Sequence, residues 1–364
     1  MKVDVICSSR ELFGADRAAL RLCQALRSLG HDPVLIVPES RPERGLADAA
    51  ASLGIEMEEA AVAIASSRGV EKPVALVRRQ RVRRPDLTII NSSSVIRSSR
   101  PERRRVLIVR EWMEPDSVAH RLLVQWHRRR SSAVLAISAG VRAQWERCTT
   151  GPRHRYTVWD WLDSATLEQS CSPARHGARS GIVCIGRFNQ WKGQELLADS
   201  YTREFANAGD RPKLTFVGYQ PGTEFAARAE AMQERGDDGL WTVLPFVDDP
   251  VPILMRSALV VVPSLRPEPF GLVILEALAC GCRVIASRGG GPDDLAGKFP
   301  EAMTLTDRDP AQLGSALRTW WENGGGAQDA AAGLATRETL GDSFSPDAGA
   351  GRWRAVLSDL GYLS

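Results

Sequence analysis

The strongest constraint on the fold is a repeated alternation of short apolar segments with helix-length segments. Near the amino terminus, the apolar segment from Lys2 to Cys7 precedes a loop, a predicted helix from about Asp16 to Leu29, and a second apolar segment from Pro33 to Val37. Asp16 suits the N-cap position of that helix. A strand, a helix and a strand in this order and at this length form a βαβ crossover, which predicts a parallel sheet.

The same alternation continues through two regions of the chain. Further strands are predicted at 87–90, 105–109 and 133–137, and then at 181–185, 213–217, 242–244, 258–262 and 283–286. Between them, residues 160–180 lose the periodicity and gather Ser, Gly, Pro and charged residues, as a linker does. We therefore predict an amino-terminal domain over 1–160, a linker over 161–180, a second domain over 181–340, and a carboxyl-terminal helix over 341–364.

Composition narrows the class of protein. The 364 residues are 43% hydrophobic and 25% charged, as in ordinary soluble proteins, and no segment approaches the ~20 apolar residues of a membrane span. The apolar run at the amino terminus is too short for a signal peptide. The seven cysteines are scattered and odd in number, which predicts reduced thiols in a cytoplasmic protein. The five histidines form no metal motif, so we predict no tightly bound metal.

The net charge of +3 hides an asymmetry between the two halves. Residues 1–160 contain 28 Lys and Arg against 18 Asp and Glu, which leaves 19 against 26 in the rest. A basic half suits an anionic partner or surface, although solvated arginine-rich helices produce the same count.

Basic residues cluster at Arg78–Arg84, Arg100–Arg105 and His120–Arg130. The last segment is either a core-facing helix with a charged outer stripe or an amphipathic helix, with Leu122, Leu123 and Trp126 on one side, that contacts an anionic membrane. No aromatic-interleaved motif accompanies the arginines, so we do not predict nucleic-acid binding.

The most specific segment runs from Pro263 to Ser287 (PSLRPEPFGLVILEALACGCRVIAS) and joins a predicted strand to a helix that begins near Gly271. Glu268 lies in the loop, and Glu276 lies in the first turns of the helix. A helix start offers unpaired N–H groups and a positive dipole end to an anion. The two acids are either solvated there, or they hold sugar hydroxyls and stabilise an oxocarbenium-like centre in a water-poor cleft.

Two cations follow the first strand of the second domain. Arg187 and Lys192, in IGRFNQWKG, precede Gly193, which permits close approach of the backbone. Such a pair suits a diphosphate, although exposed loop cations have the same pattern. A dinucleotide site after the first strand requires G-x-G-x-x-G, and that loop contains only Gly14, so we exclude NAD binding there.

PEPFGLVILEALACGCRVIAS resembles the Glu-x7-Glu signature of the retaining glycosyltransferases of family 4, which have the GT-B fold. IGRFNQWKG is similar to their phosphate-binding segment, SRGGGPDDL to the following glycine loop, and SSRELFGADRAALRL to the amino-terminal glycine loop. SAVLAISAGVRAQW is similar to the strand and helix that close their first domain. The resemblance implies an α/β fold with two Rossmann-like domains whose parallel sheets face an interdomain cleft, and a helical tail that packs back toward domain one.

The resemblance also implies a reaction. A hexose would pass, with retention and without a metal or other cofactor, from a nucleotide-diphosphate sugar to a hydroxyl acceptor. Arg187 and Lys192 would hold the diphosphate, Glu276 the ribose, and Glu268, as a catalytic residue, the donor sugar. The other implied donor contacts are Gly14, the strand-end residues Pro245, Phe246 and Val247, and the backbone N–H groups of Phe270, Gly271 and Leu272.

Three segments depart from the family pattern. The chain has TVWDWLD where the family usually reads Pro-Asn-Gly-x-Asp before the linker. It has Arg110-Glu111 where many members place a His, which makes Glu111 a second catalytic candidate that orients donor sugar or acceptor. In the glycine loop, Asp293-Asp294 replaces the commoner Glu.

Two alternatives to the transferase stay open from the residues alone. One is a nucleotide-sugar epimerase of the same fold, and the other is a non-catalytic glycosyltransferase-like partner subunit, which the TVWDWLD departure suggests. For the transferase, the acceptor is a glycan, a lipid-linked molecule or a small molecule in cell-envelope or polysaccharide biosynthesis. The expected location is cytoplasmic, either free or peripheral on the inner face of the membrane.

Overall fold

A computed structural model describes residues 1–39, 45–66, 69–71, 84–149, 154–171, 179–236, 239–328 and 330–363. The chain divides into two compact units. The first consists of Met1–Trp161 with Pro346–Ser364, and the second is Leu162–Ser345. The carboxyl-terminal segment therefore belongs to the first unit.

The first unit contains ten described strands and four helices before the chain enters the second. The strands are β1 (Lys2–Ile6), β2 (Asp32–Pro38), β3 (Glu56–Ala60), β4 (Val62–Ser66), β5 (Gly69–Glu71), β6 (Leu87–Ile90), β7 (Val95–Ser98), β8 (Val106–Val109), β9 (Ala133–Ala136) and β10 (His154–Thr157). The helices are α1 (Gly14–Ser28), α2 (Leu46–Ser52), α3 (Val118–Arg130) and α4 (Ala139–Arg147). Seven strands form a parallel sheet in the order β10-β9-β8-β6-β1-β2-β3. A separate antiparallel sheet has the order β5-β4-β7.

The second unit repeats the design with a six-stranded parallel sheet. Its strands are β11 (Ile182–Ile185), β12 (Leu214–Tyr219), β13 (Trp241–Pro245), β14 (Leu259–Val262), β15 (Arg283–Ser287) and β16 (Met303–Thr306). Its helices are α5 (Ser164–Cys171), α6 (Gln194–Phe205), α7 (Ala226–Arg235), α8 (Val251–Leu254), α9 (Leu272–Ala279), α10 (Gly291–Lys298), α11 (Pro310–Glu322) and α12 (Ala330–Phe344). The last helix of the chain, α13 (Pro346–Asp359), lies in the first unit. The strand order is β13-β12-β11-β14-β15-β16.

The predicted α/β class with parallel sheets is confirmed, and several local predictions need correction. Helix α1 begins at Gly14, with Phe13 at its N-cap. Asp16 is instead the third helical residue, and its carboxylate accepts a hydrogen bond from the backbone N–H of Phe13 at 3.3 Å. The predicted linker contains α5, while residues 172–178 lie outside the described residues. The antiparallel sheet was not predicted, because its short strands show little periodicity. No helix in the described part of the chain is long and apolar enough to cross a membrane.

The predicted basic cluster Arg100–Arg105 is partly internal, because Arg103 and Arg104 are exposed whereas Arg100 and Arg105 are buried. The guanidinium of Arg100 donates to Asp4 at 3.1 Å and to Glu58 at 2.6 Å, and the side chains of Arg100 and Asp4 are fully buried. Arg105 is also buried and pairs with Glu102 at 2.8 Å. Arg100–Arg105 is therefore not one exposed patch, since a guanidinium enters a protein interior when acceptors meet its donors. Residues 78–83 of the first cluster lie outside the described residues.

Helix α3 is anchored through a buried histidine. Ser117 caps the helix, and its Oγ accepts a hydrogen bond from the N–H of His120 at 3.3 Å. His127 is fully buried; its Nε2 lies 2.7 Å from the carbonyl oxygen of Ser93, and its Nδ1 lies 3.0 Å from Nη2 of Arg105. These partners require Nε2 to donate and Nδ1 to accept, which is the neutral imidazole. Burial, with a further contribution from Arg105, lowers the pKa of His127 to about 3.

The depressed pKa of His127 predicts a loss of stability in mild acid. As the pH falls below 6.5, His127 becomes protonated in the unfolded state. In the folded state it stays neutral until the pH nears its folded-state pKa of about 3. The unfolded state therefore binds more protons in this window, and the free energy of unfolding falls by up to about 1.4 kcal/mol per pH unit. Urea denaturation of the wild type and of His127→Gln should show that the substitution removes this slope.

His120→Gln is the matched control, because His120 lies on the same helix and is only partly buried. This substitution should leave the slope unchanged. Parallel pH profiles for wild type and His127→Gln would contradict the prediction.

Candidate functional site

Two loops leave the carboxyl ends of neighbouring strands in the second unit. Strand β11 continues into loop 186–193, and β14 continues into loop 263–271. Because β11 pairs with β14 in parallel, both loops start at the same edge of the sheet, where ligands of open α/β sheets bind. The backbone N–H of Leu265 donates to the carbonyl oxygen of Trp191 at 2.7 Å, so the loops are joined directly.

Glu268 is the central carboxylate of this site, and its side chain is 7% exposed. The Nζ of Lys192 and the Oγ of Ser264 both donate to its Oε1 at 2.6 Å. Among the described residues, no donor reaches Oε2. The sequence singled out Lys192 and Glu268 but not their contact. It missed Ser264, whose position two residues beyond β14 was the available signal.

Lys192 is held in place by its own loop. It ends a short 3₁₀ turn, Gln190–Lys192, and its backbone N–H donates to Oδ1 of Asn189 at 3.1 Å. Its Nζ also lies 4.2 Å from the ring centroid of Trp191, within the range of a cation–π contact. An ammonium group has three N–H donors, and one is directed at Glu268. The others are available to an anionic ligand.

Two glycines allow the backbones of these loops to approach closely. Gly193 has φ of +74°, and a Cβ there would lie 1.9 Å from the carbonyl oxygen of Pro263. A Cβ on Gly291 would lie 2.0 Å from the carbonyl oxygen of Phe270. The N–H of Gly291 donates to the carbonyl oxygen of Glu268 at 2.9 Å. The loop after β15 is thereby brought against the Glu268 loop.

Asp293, which replaces the Glu more common in the family, contacts the same glycine loop. Its Oδ2 accepts a hydrogen bond from the N–H of Gly289 at 3.0 Å, and Asp293 lies in the first turn of α10. An acid at a helix start is favoured by the helix dipole. Asp293 therefore closes the loop onto its own helix.

The other residues predicted around Glu268 open helix α9. Gly271 precedes the helix with φ of +97°, and Leu272 is its first residue. The ring of Phe270 is buried against Phe344, with centroids 6.4 Å apart, so its side chain packs in the interior. Glu276 lies in the second turn and is partly exposed.

Arg187 and the donor-contact residues predicted at the end of β13 lie along the same sheet edge. Arg187 follows β11, and its guanidinium carbon lies 5.9 Å from the ring centroid of Phe225. Pro245 ends β13, two strands from β11, and is followed by Phe246 and Val247. All are at least partly exposed. The structure thus gives Lys192, rather than Arg187, the contact with Glu268.

In the first unit, Glu111 joins the loops that follow β6 and β8. Its Oε1 accepts from the hydroxyl of Ser92, and its Oε2 accepts from the hydroxyl and the backbone N–H of Ser93, the latter at 3.0 Å. The N–H of Arg110 also donates to Oε2, at 3.1 Å. Both oxygens are therefore engaged within the unit. A catalytic role for Glu111 stays a prediction, as does donor contact by Gly14, which is the exposed first residue of α1.

Two of the segments that depart from the family pattern, Arg110-Glu111 and TVWDWLD, are joined by an ion pair. Arg110 donates through Nη1 to Asp160 of the TVWDWLD segment at 2.6 Å, and these side chains are 8% and 7% exposed. Its Nε donates to Oδ1 of Asn91 at 2.8 Å, and Nδ2 of Asn91 donates to the carbonyl oxygen of Ala15 at 3.0 Å. Arg110 thus connects the ends of β8, β6 and β10 to the start of α1. The sequence noted each departure but not that one is the partner of the other.

Burial raises the pKa of Asp16, which lies beside this network, and the Ser9 hydroxyl, which lies 2.8 Å from both carboxylate oxygens and donates to them, opposes the shift. Across the described residues, no group of three or more His, Cys, Asp and Glu side chains could hold a metal ion.

Known proteins resemble the chain at two levels. Residues 179–323 match the family of glycosyl transferases group 1. The D-inositol 3-phosphate glycosyltransferase of Geodermatophilus obscurus is 30% identical over 187 residues, which are 49% of this chain and 38% of that protein. Glycogen synthase 1 of Rhizobium meliloti is 32% identical over 152 residues, or 40% of this chain and 28% of that protein. The matched segments thus span well under half of either relative.

The structural likeness covers nearly the whole chain. The crystal structure of Anabaena HepE in complex with UDP-glucose superposes with a TM-score of 0.76 at 18% identity, over 99% of this chain and 100% of that one. Likeness at this identity establishes fold. The protein has the GT-B fold, and the segment that matches glycosyl transferases group 1 contains Arg187, Lys192, Glu268 and Glu276.

Substitution of Gly193 should separate the two loops. Gly193→Ala places a methyl group against the carbonyl oxygen of Pro263 and a non-glycine residue at positive φ. We expect the free energy of unfolding to fall by at least about 2 kcal/mol, because strain at such a φ alone costs about 1–3 kcal/mol. Urea denaturation measures this loss. Gly209→Ala is the control, since no atom lies within 4 Å of its Cβ position, and it should be neutral or slightly stabilising. An equal loss of stability in Gly193→Ala and Gly209→Ala would contradict the close approach of Gly193 to Pro263.

The Arg110–Asp160 pair should be costly to break from one side. Arg110→Met leaves the carboxylate of Asp160 buried without its cation and should destabilise by about 3–5 kcal/mol. The double variant Arg110→Met/Asp160→Leu should recover most of that loss in urea denaturation. Arg142→Met, which removes an exposed pair with Glu146 at 4.0 Å, should cost less than about 1 kcal/mol. A double variant no more stable than Arg110→Met would show that the pair is not the cause.

Proposed function

We propose that this protein is a retaining, metal-independent glycosyltransferase that moves a hexose from a nucleotide-diphosphate sugar to a hydroxyl acceptor. The observation that carries the proposal is the contact of Lys192 and Ser264 with the buried Glu268 carboxylate, at the sheet edge where α9 begins. These residues lie in the segment that matches glycosyl transferases group 1.

The cations and the helix start suit the leaving group. In sugar transfer from such a donor, negative charge grows on the departing diphosphate. Lys192 supplies N–H donors beyond the one on Glu268, Arg187 supplies a fork of donors, and α9 supplies the positive end of its dipole. Fixed positive charge that is already in place stabilises this transition state without reorganisation. We infer that these groups do the work that a metal ion does in metal-dependent transferases.

Glu268 suits the sugar side of the same reaction. Its Oε1 is fixed by Lys192 and Ser264, so the carboxylate is held in one orientation. Its Oε2 is then directed to accept a hydrogen bond from a sugar hydroxyl, and the negative charge stabilises positive character at the anomeric carbon. Glu276, in the second turn of α9, is proposed to bind the ribose hydroxyls.

The names of similar proteins indicate which substrates to try first. HepE was crystallised with UDP and with UDP-glucose, so uridine is the first base to test. The relatives named above suggest inositol phosphates and glucans as acceptors.

Substitution of Glu268 tests the proposal. The purified protein is incubated with a panel of nucleotide-diphosphate sugars and acceptors, and the glycosylated product is measured by mass spectrometry. Glu268→Gln keeps the shape of the side chain but removes its charge, and kcat/KM should fall by at least about 100-fold, as when one transition-state contact is lost. Glu195→Gln is the control, because Glu195 is an exposed acid on α6. It should retain full activity.

Two further measurements address the finer parts of the proposal. NMR of the product should show the anomeric configuration of the donor, and EDTA should leave the rate unchanged. Inversion of the anomeric configuration would overturn the proposed retention. Loss of activity in EDTA would overturn the proposed metal independence. Conversion of the donor to an isomeric sugar without an acceptor would instead indicate an epimerase. Wild-type activity in Glu268→Gln would overturn the assignment of the site.

A further inference from the structure

Helix α3 presents a row of large apolar side chains to solvent. Val118, Leu122 and Trp126 are 62%, 67% and 36% exposed. They are spaced four residues apart, so they lie along one face of the helix. Among the side chains that the structure describes, six large apolar ones are exposed, and half of them are in this row. An apolar row of this length on an exposed helix face is typical of a docking surface.

Arginines flank the apolar row. Arg121, Arg129 and Arg130 are exposed, and α3 contains no acidic residue. At 3.6 residues per turn, Arg121 and Arg130 fall on opposite margins of the row, and Arg129 falls on the row itself. The guanidinium carbon of Arg130 lies 3.9 Å from the ring centroid of Trp126, which places a cation directly beside the apolar surface.

The apolar row is not the face through which α3 packs on its own unit. The opposite face of α3 is buried through Val124 and His127, and His127 is fixed by Ser93 and Arg105. The helix therefore already packs on its unit, and the row lies outside that contact.

Trp126 is also fixed in its exposed position. Its Nε1 donates to the carbonyl oxygen of Ile96 at 3.3 Å, next to the exposed Arg97. An indole whose N–H is engaged while its ring stays exposed suits the boundary between water and an apolar phase. The acidic residues nearest in sequence, Glu114 and Asp116, precede the amino-terminal end of α3, so the positive charge is concentrated toward its carboxyl end.

We propose that α3 docks on the surface of an anionic lipid bilayer. Val118, Leu122 and Trp126 enter the boundary between head groups and acyl chains, while Arg121, Arg129 and Arg130 contact lipid phosphates. An apolar row bordered by arginines matches the two requirements of an interfacial helix, namely buried apolar area and attraction to anionic head groups. The charge complementarity favours an anionic membrane over a second copy of this chain, because two copies of the same face would oppose arginine to arginine. Leu123, which the sequence placed on the apolar side, is only partly exposed, and Val118 takes its place.

Vesicle sedimentation with the full chain tests the proposal. The protein is spun with vesicles of phosphatidylcholine, with and without phosphatidylglycerol, at low and at high salt. We expect sedimentation with the anionic vesicles that weakens with salt, since screening shortens the reach of the arginines. Leu122→Gln and Arg129→Glu should each lower the partition coefficient about fivefold or more, and the double variant further.

Matched substitutions control for loss of apolar area or charge in general. Leu334→Gln removes a side chain that is 56% exposed on α12, and Arg142→Glu reverses an exposed charge on α4. Neither should change sedimentation, and all four sites are exposed, so thermal unfolding should verify that every variant is folded.

Several outcomes would overturn the proposal. They are no binding of the wild type to anionic vesicles, equal binding to neutral vesicles, or an equal loss in the control variants. Light scattering that shows a dimer dissolved by Leu122→Gln would assign the face to self-association instead. The assay uses no sugar donor, so its result is independent of the proposed transferase activity.

Discussion

The parallel pairing of β11 with β14 is the interaction on which the candidate site depends. Ile182 pairs with Leu259 and Val183 with Val260, so the two strands end side by side. Only then do loops that lie more than 70 residues apart in sequence start from one edge, where Nζ of Lys192 meets Oε1 of Glu268 across 2.6 Å. Gly193 completes the approach, because its missing side chain lets the first loop touch the backbone at Pro263.

This arrangement pairs the buried carboxylate of Glu268 with a cation and a hydroxyl donor. Lys192 offsets a carboxylate that would otherwise be buried without a partner, and Ser264 adds a neutral donor. Under the proposed function, an incoming diphosphate would share the ammonium group with Glu268 rather than displace it, because Glu268 engages only one of the three N–H donors of Lys192. Under the proposed function, the same lysine would hold the Glu268 carboxylate in place and receive the leaving group. This is the reason that we attach the proposed function to the pair rather than to either residue alone.

The first unit shows how far a basic sequence can differ from a basic surface. Arg100, Arg105 and Arg110 are buried or nearly so, and each is matched by a carboxylate within 3.1 Å. Their role is to connect strand ends and to hold loops. Four further arginines, Arg121, Arg128, Arg129 and Arg130, lie on α3, which also carries the exposed apolar row. The excess of arginine in this half of the chain thus has two separate physical uses.

The sequence by itself determined the architecture and singled out the residues of the candidate site. Alternating strand and helix segments specify two parallel sheets, because each pattern has its own period, and strand-end positions were enough to single out Glu268, Lys192 and Arg187. Tertiary structure alone decided the partners. The contacts of Lys192 with Glu268, of Arg110 with Asp160 and of Arg100 with Asp4 join residues 50 or more positions apart, and no local pattern encodes them. Burial was undetermined for the same reason, since an arginine is internal only where the fold brings acceptors to it, and Leu122 is exposed only because α3 packs through its opposite face.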